Sequence, residues 1–279
     1  MFKTLNGKVN LVNALTGFTF LSAFFLFSPA RADDIRLATT TSTQNSGLLD
    51  FILPDFEKRT GMKVRVIAVG TGKALKLAER GDADVVLVHA RKLEEKFVRQ
   101  GHGVRRKKVM ENDFVLVGPE SDPSHIRGAK SIKEAMKRLK SCKAPFISRG
   151  DRSGTHIREL SLWDMVGGPP PAPCRLEVGQ GQAAMLRIAS EKQAYALTDR
   201  GTYLAVKGIS DQLKVMFQGA KVLINPYHII VVNPKKHKDM NFKGACKFED
   251  WFLSPRIQKM IGSFKVKGVV LFRPVIGKK

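Results

Sequence analysis

Four short segments of the sequence are rich in hydroxyl side chains or in glycine, and each stands between a run of strand-forming residues and a helical pattern. They are Thr39-Thr40-Thr41-Ser42, Gly70-Thr71-Gly72, the segment 148–155 (Ser-Arg-Gly-Asp-Arg-Ser-Gly-Thr) and Thr198-Asp199-Arg200-Gly201-Thr202. Helix N-termini have unpaired N–H groups and a partial positive charge, and glycine lets a ligand approach the backbone closely. Turns of this kind can therefore bind an oxyanion, and several that face one cleft would enclose a tetrahedral one.

Each turn, taken alone, also has a simpler explanation, because Ser, Thr and Asp are common helix N-caps. Capping is the favoured interpretation for three of the four. The segment 148–155 differs, since its glycines, hydroxyls and Arg149 exceed what a cap requires. Arg149 can contact two oxygens of one anion, or it can form a surface salt bridge with Asp151. Asp151 would repel a fully ionised anion, so we expect it to orient Arg149 or cap the helix. If it faced the ligand, it would favour a protonated species such as hydrogen phosphate.

The elements around these turns alternate between short strands and helices, which indicates an α/β fold with a mainly parallel sheet. Strands are predicted at 35–39, 63–69, 84–89, 114–118, 145–148, 195–198 and 227–232. Helices are predicted around 48–56 and at 73–80, 91–100, 131–140, 155–166, 182–191, 200–206 and 248–261. In open α/β sheets the turns beyond the carboxyl ends of the strands are where ligands collect.

The N-terminal segment has the features of a signal peptide. Lys3 and Lys8 precede an apolar run at 16–27, which ends shortly before Ala30-Arg31-Ala32. The run is much shorter than the roughly 20 residues of a membrane-spanning helix, and the small residues suit signal peptidase. We expect cleavage after Ala32 and export to the periplasm, with an uncleaved anchor as the disfavoured alternative.

The chain is strongly basic. Removal of residues 1–32 takes three bases and no acid from the 48 basic and 25 acidic residues, which leaves a net charge of about +20. Such a charge attracts anions to the surface. Basic clusters at 105–108 and 235–236 lack interleaved aromatic residues, and export removes them from the cytoplasm, so we do not predict specific nucleic-acid binding.

Three cysteines enter an oxidising compartment, where pairs tend to form disulfides. They are Cys142, Cys174 and Cys246, so one must stay unpaired. Cys142 and Cys174 bracket one segment and could pair, but the sequence leaves the connectivity open.

Metal binding and hydrolysis are both disfavoured. The six histidines are scattered, and no pair has the short helical spacing of a metal site. A hydrolase would use Ser153 as nucleophile and His156 as base, yet they stand three residues apart, no Gly-x-Ser-x-Gly motif surrounds the serine, and no acidic partner for His156 is evident.

The order and spacing of the four turns, together with Gly81-Asp82-Ala83-Asp84, resemble those of the tungstate-binding proteins of tungstate ABC importers, which are type II periplasmic binding proteins. The resemblance covers essentially the whole mature chain. It implies two lobes, each a mainly parallel sheet flanked by helices, that close over the oxyanion. Lobe I would comprise 33–115 and 225–279 and lobe II 116–224, with hinge crossings near 113–118 and 223–227.

The resemblance also implies the ligand site and the partners. The matching ligand contacts are Thr40, Thr41, Thr71, Arg149, Ser153 and Thr155. Residues expected to support them are Ser42, Gly70, Gly72, Asp151, Gly154, Thr198 and Asp199. The expected protein is a monomer without catalytic activity, cofactor or bound metal cation, which delivers its anion to an ABC importer permease in the inner membrane. Tungstate and molybdate share charge and shape, so the sequence does not separate them, and sulfate or phosphate remain alternatives.

Overall fold

The computed structural model describes residues 34–275, so the predicted signal peptide and its cleavage site lie outside the described residues. In this part of the chain, no helix is both long enough and apolar enough to cross a membrane.

Ten strands of the described chain form one large sheet, and two short strands pair as a separate hairpin. The sheet strands are β1 Ile35–Thr40, β2 Val64–Val69, β3 Val85–Val88, β4 Gly103–Pro119, β5 Phe146–Ser148, β6 Arg175–Glu177, β7 Tyr195–Asp199, β8 Leu213–Phe217, β9 Ile224–Val232 and β12 Arg273–Pro274. The hairpin consists of β10 Lys265–Val266 and β11 Val269–Val270.

The strand order β2-β1-β3-β9-β4-β7-β5-β6 places parallel pairs towards both ends of the sheet. β1 is parallel to β2 and β3 at one end, and β5 is parallel to β6 and β7 at the other. Between them β9 and β4 run antiparallel to their neighbours. The predicted α/β fold class is therefore confirmed, with returning strands at the centre of the sheet.

β4 links the two ends of the sheet and is much longer than predicted. Residues 103–113 pair with β9, whereas residues from Phe114 onward pair with β7 and β8. The prediction contained only 114–118, because four consecutive basic residues at 105–108 obscure the apolar alternation of the first half. Asp113 pairs with Ile224, where β9 begins, so the two predicted hinge crossings lie beside each other on these strands.

Helices cover the sheet. They are α1 Thr41–Asn45, α2 Leu48–Thr60, α3 Thr71–Arg80, α4 Arg91–Arg99, α5 Ile132–Lys140, α6 Gly154–Asp164, α7 Gln182–Glu191, α8 Arg200–Ala205, α9 Ile209–Gln212, α10 Phe242–Phe252 and α11 Pro255–Ser263, with short 3₁₀ turns at Ile126–Gly128 and Lys221–Leu223.

The prediction of a single helix at 248–261 was wrong, because two helices, α10 and α11, occupy this region. Proline removes a backbone donor and suits the first helical position, so Ser254 caps a new helix that begins at Pro255.

The core is built from strands that are covered on both faces. All four residues of β3 are buried, as expected for an apolar strand between β1 and β9. Around β5 and β7, a second apolar cluster includes Trp163 and Tyr195. Cys142 and Cys174, whose pairing the sequence left open, form a disulfide with a Cα–Cα distance of 5.3 Å, and Cys246 is free.

Candidate functional site

A small cavity lies at the carboxyl ends of β1, β2 and β5, where three of the four predicted turns meet. It is lined by all six predicted ligand contacts, which are Thr40, Thr41, Thr71, Arg149, Ser153 and Thr155. Three predicted supporting residues, Ser42, Gly70 and Gly154, also line it. Inside the cavity, the centre of a water-sized sphere can move through about 20 Å³, which is room for one or two water molecules. The cavity therefore suits a small ion rather than an organic molecule.

The N-cap residues of three helices line this cavity. Thr40 is the N-cap of α1, and its hydroxyl accepts from the backbone N–H of Thr43. Gly70 is the N-cap of α3 and has no side chain to satisfy the first N–H groups of that helix. Ser153 is the N-cap of α6. Because unpaired N–H groups and the helix dipole favour negative charge, this arrangement suits an anion.

Arg149 is the cation of the cavity, and it follows β5 directly. Its side chain is 12% exposed, and its Nη2 is 2.5 Å from the Asp151 carboxylate. Its Nε is buried and has no hydrogen-bond partner among residues 34–275. A buried donor without an acceptor is unfavourable, so a ligand oxygen at this position would stabilise the site.

Asp151 does not line the cavity but accepts hydrogen bonds from two residues that do. One oxygen accepts from Arg149, and the other accepts from the backbone N–H of Ser153 at 3.0 Å. Burial alone would raise the pKa of Asp151, but hydrogen bonds from Ser153 and the charge of Arg149 outweigh it, so the pKa lies below its ordinary value. The ionised carboxylate thus orients Arg149 and reaches the start of α6.

The fourth turn lies behind the cavity. Thr198 and Asp199 are buried at the end of β7, and both hydrogen-bond to Gln182. Gln182 in turn donates to Thr155 Oγ1 at 2.9 Å and lines the cavity. Thr198 and Asp199 therefore reach the cavity through Gln182. Gly72, the remaining predicted supporting residue, is the second residue of α3 and lines a different pocket.

Two residues of the cavity were missed in the sequence, His89 and Gln182. Gln182 follows Gly179-Gln180-Gly181 and opens a predicted helix, so this glycine-containing stretch was an available signal. His89 directly follows β3, the same strand-end position as the turns that were recognised. Its ring lies 3.2 Å from Thr40 Oγ1 and stacks on Tyr227 with centroids 4.4 Å apart.

Burial lowers the pKa of His89, so its ring is neutral around physiological pH. The charge of Asp199 opposes this shift without overcoming it. The ring therefore takes part in the cavity as a neutral group with one N–H, rather than as a second cation.

Ser153 and His156 do not form the contact that a hydrolase would need. Ser153 Oγ accepts from the backbone N–H of His156, while the His156 ring accepts from the backbone N–H of Arg152. The second ring nitrogen lies 3.3 Å from Arg175. Both ring nitrogens thus have neighbours other than Ser153. Within residues 34–275, no group of three or more His, Cys, Asp or Glu side chains could hold a metal ion.

Comparisons with known proteins agree with this fold. Residues 28–256 match the family model of the PBP superfamily domain. The tungstate-binding protein TupA of Peptoclostridium acidaminophilum is 47% identical over 248 residues, which are 88% of this chain and 86% of that protein. The crystal structure of the tungstate ABC transporter from Geobacter sulfurreducens has a TM-score of 0.78 and 52% identity, covering 83% of this chain and 99% of that chain. The tungstate-binding protein TupA from Desulfovibrio alaskensis G20 has a TM-score of 0.77 and 44% identity, covering 86% of this chain and 98% of that chain.

An α/β fold with a mixed sheet and a small, donor-rich cavity at its strand ends defines a binding protein for a small anion. The chain belongs to the family of the tungstate-binding proteins within the PBP superfamily.

Proposed function

We propose that this chain captures tungstate, or the nearly isosteric molybdate, in the periplasm and delivers it as a monomer to the permease of an ABC importer. The anion is held by hydrogen bonds and one cation, and no covalent step takes place. The names of the relatives support tungstate, while the cavity supports a small oxyanion.

The observation that carries this proposal is the unpartnered Nε of Arg149. It is a buried donor of a residue that lines the cavity, and the N-caps of three helices line the same cavity. A tetrahedral oxyanion has four acceptor oxygens, which can satisfy donors from several directions at once. Water could do this only partly, because each molecule also brings protons that need acceptors.

Closure of two lobes is part of the proposal. Lobe I comprises 33–115 and 225–279, and lobe II comprises 116–224, with the hinge where β4 and β9 pass beside each other. Thr40 and Thr71 then belong to one lobe and Arg149 and Thr155 to the other, so a bound anion connects the lobes. The ligand would shift a pre-existing balance between open and closed forms, and the closed form would dock on the permease.

Calorimetric titration with tungstate, molybdate, sulfate and phosphate tests the proposal. We expect tungstate and molybdate to bind most tightly. Arg149→Ala should weaken tungstate binding at least about tenfold, because a hydrogen bond to a charged group is worth about 1.5 to 3 kcal/mol.

The matched control is Arg187→Ala, which removes an exposed arginine of α7 outside the cavity lining. Its tungstate affinity should equal that of the wild type. Unchanged affinity in Arg149→Ala, or tight binding of sulfate or phosphate in place of tungstate, would contradict the proposal.

A further inference from the structure

A second concave site, which we call the basic pocket, lies beside the cavity and between the starts of α4 and α6. Its lining includes Lys92 and Leu93 of α4, Ile157, Arg158 and Ser161 of α6, and Phe114 of β4. The centre of a water-sized sphere can move through about 320 Å³ of this pocket, compared with about 20 Å³ in the cavity. The larger volume is room for about ten water molecules. The basic pocket can therefore hold a small organic molecule.

The two sites are neighbours with different linings. His89 and Gly154 line both of them, so these residues lie between the pocket and the cavity. The hydroxyl residues of the cavity and Arg149 do not line the basic pocket. A ligand in the pocket would therefore contact a separate set of side chains.

Every charged side chain that lines the basic pocket is basic. These side chains are Arg91, Lys92 and Arg158, and no aspartate or glutamate is among the lining residues. Arg91 donates to Glu95, one turn further along α4, at 2.6 Å. Lys92 and Arg158, in contrast, form no ion pair with any residue of 34–275. The pocket thus offers two cations to a ligand.

Arg158 is the half-buried cation of the pocket. Its Cζ lies 5.9 Å from the centroid of the Phe114 ring, within the range of a cation–π contact. Burial lowers the pKa of Arg158, and no acid opposes this shift. Arg175 differs, because it donates to the buried carboxylate of Glu159 at 2.7 Å and its pKa is raised. A desolvated charge without a counter-ion is unfavourable, so an anion in the pocket would stabilise Arg158.

The remaining walls of the basic pocket are largely apolar. Ala90, Leu93, Phe114 and Ile157 contribute carbon surface. A carbon chain would bury part of this surface, whereas an inorganic anion would leave most of it in contact with water. The walls therefore favour an organic anion.

The two cations stand on different helices. Lys92 is the second residue of α4, and Arg158 is the fifth residue of α6. Two anionic groups joined by a short carbon chain can contact both cations and lie against the apolar walls. Carboxylates suit these partners, because arginine binds a carboxylate through two parallel hydrogen bonds and lysine binds it as a point charge.

We propose that the basic pocket is a second ligand site, which binds a small organic dianion of the dicarboxylate class between Lys92 and Arg158. The inference goes beyond the proposed function, since it does not depend on which anion the cavity holds. A ligand that contacts both helices would also connect the segment after β3 with the segment after β5.

Adipate and hexanediol form the matched pair of probes, because both have a chain of six carbons and only adipate is charged. Each is titrated by calorimetry into protein saturated with tungstate, which fills the cavity. We expect adipate to bind with a Kd in the millimolar range or lower, and hexanediol to bind at least about tenfold more weakly.

Arg158→Ala removes the half-buried cation and should weaken adipate binding at least about tenfold. Arg187→Ala is the matched control, because it removes the same charge from an exposed position of α7 outside the pocket lining. Its adipate affinity should equal that of the wild type. If Arg158→Ala does not fold, Lys92→Ala tests the pocket from an exposed residue, and adipate affinity should fall there by about threefold.

Three results would overturn the proposal: no measurable binding of adipate to the wild type, equal binding of adipate and hexanediol, or a folded Arg158→Ala variant with wild-type affinity for adipate. In the last case the surface charge of the whole chain, rather than the pocket, would attract the ligand. A protein that does not bind tungstate contradicts only the proposed function, and the adipate titrations are then made without tungstate.

Discussion

Replacement of Arg149 by lysine separates the charge of this residue from its geometry. Nη2 of Arg149 donates to Asp151, while the buried Nε has no hydrogen-bond partner among residues 34–275. A lysine ammonium is a point charge at the end of a flexible chain and has no donor at the position of Nε. We therefore expect Arg149→Lys to keep the ion pair with Asp151 and to lose a large part of the tungstate affinity.

The magnitude follows from the hydrogen bond that is lost. A bond from a charged donor is worth about 1.5 to 3 kcal/mol, or about 10- to 150-fold in Kd. At a tungstate concentration of about 1,000 times the wild-type Kd, binding stabilises the wild type by about 4.1 kcal/mol. A variant that binds about a hundredfold more weakly gains only about 1.4 kcal/mol at this concentration. For a chain of this size these energies correspond to increases in Tm of about 8–16 °C and about 3–6 °C.

Thermal unfolding with and without tungstate measures this difference directly. Without ligand, Arg149→Lys should melt at or above the wild-type temperature, because the substitution removes a buried donor that has no partner in the described part of the chain. Arg187→Lys, at an exposed position of α7, serves as the control and should show the full increase. If tungstate raised the Tm of Arg149→Lys as much as that of the wild type, the reasoning would be refuted, since charge alone would then account for binding.

Two further predictions concern stability. Cys174→Ser should lower the free energy of unfolding by about 2 to 4 kcal/mol, because the disulfide with Cys142 restricts the unfolded chain; urea unfolding measures the loss, and reduction of the wild type should reproduce it. Burial alone would raise the pKa of Asp122, but hydrogen bonds from two backbone N–H groups and from Tyr195 hold this pKa below its ordinary value of 3.8. The ionised carboxylate therefore contributes its full stabilisation above pH 3.8, and this contribution is lost as the pH falls through the lower pKa of the folded state. The stability difference between wild type and Asp122→Asn should therefore shrink below about pH 4, and parallel stability curves down to the acid transition would contradict this.

The sequence predicts those parts of the fold whose pattern is local. The helix predicted at 182–191 has the bounds that the structure gives it, and the strand ends at β1, β2 and β5 were predicted within one residue. The first half of β4 was missed because its side chains follow tertiary partners. Arg105 and Arg106 pair with the distant acids Glu249 and Glu94, and nothing local marks those positions as strand.

The same distinction holds within the cavity. Residues at helix starts were recognised, because glycine and hydroxyl residues after a strand form a local signal. His89 was not, since its position depends on Asn225, 136 residues away in the chain. The glycines before Gln182 are a local signal, but its contacts with Asp199 and Thr155 are not visible in the sequence. Contacts of this kind exist only once the sheet has formed.

The cavity has little net charge of its own, although the whole chain has a formal net charge of +23. Its one arginine is paired with Asp151, and its histidine is neutral because burial lowers the His89 pKa. Affinity must therefore come from oriented donors, which include the backbone N–H groups at the starts of α3 and α6. The excess of surface bases acts at longer range, where it raises the local concentration of anions without distinguishing between them. Attraction and binding are thus carried by different residues, because surface charges act over a long range, whereas the donors of the cavity act only on an anion that touches them.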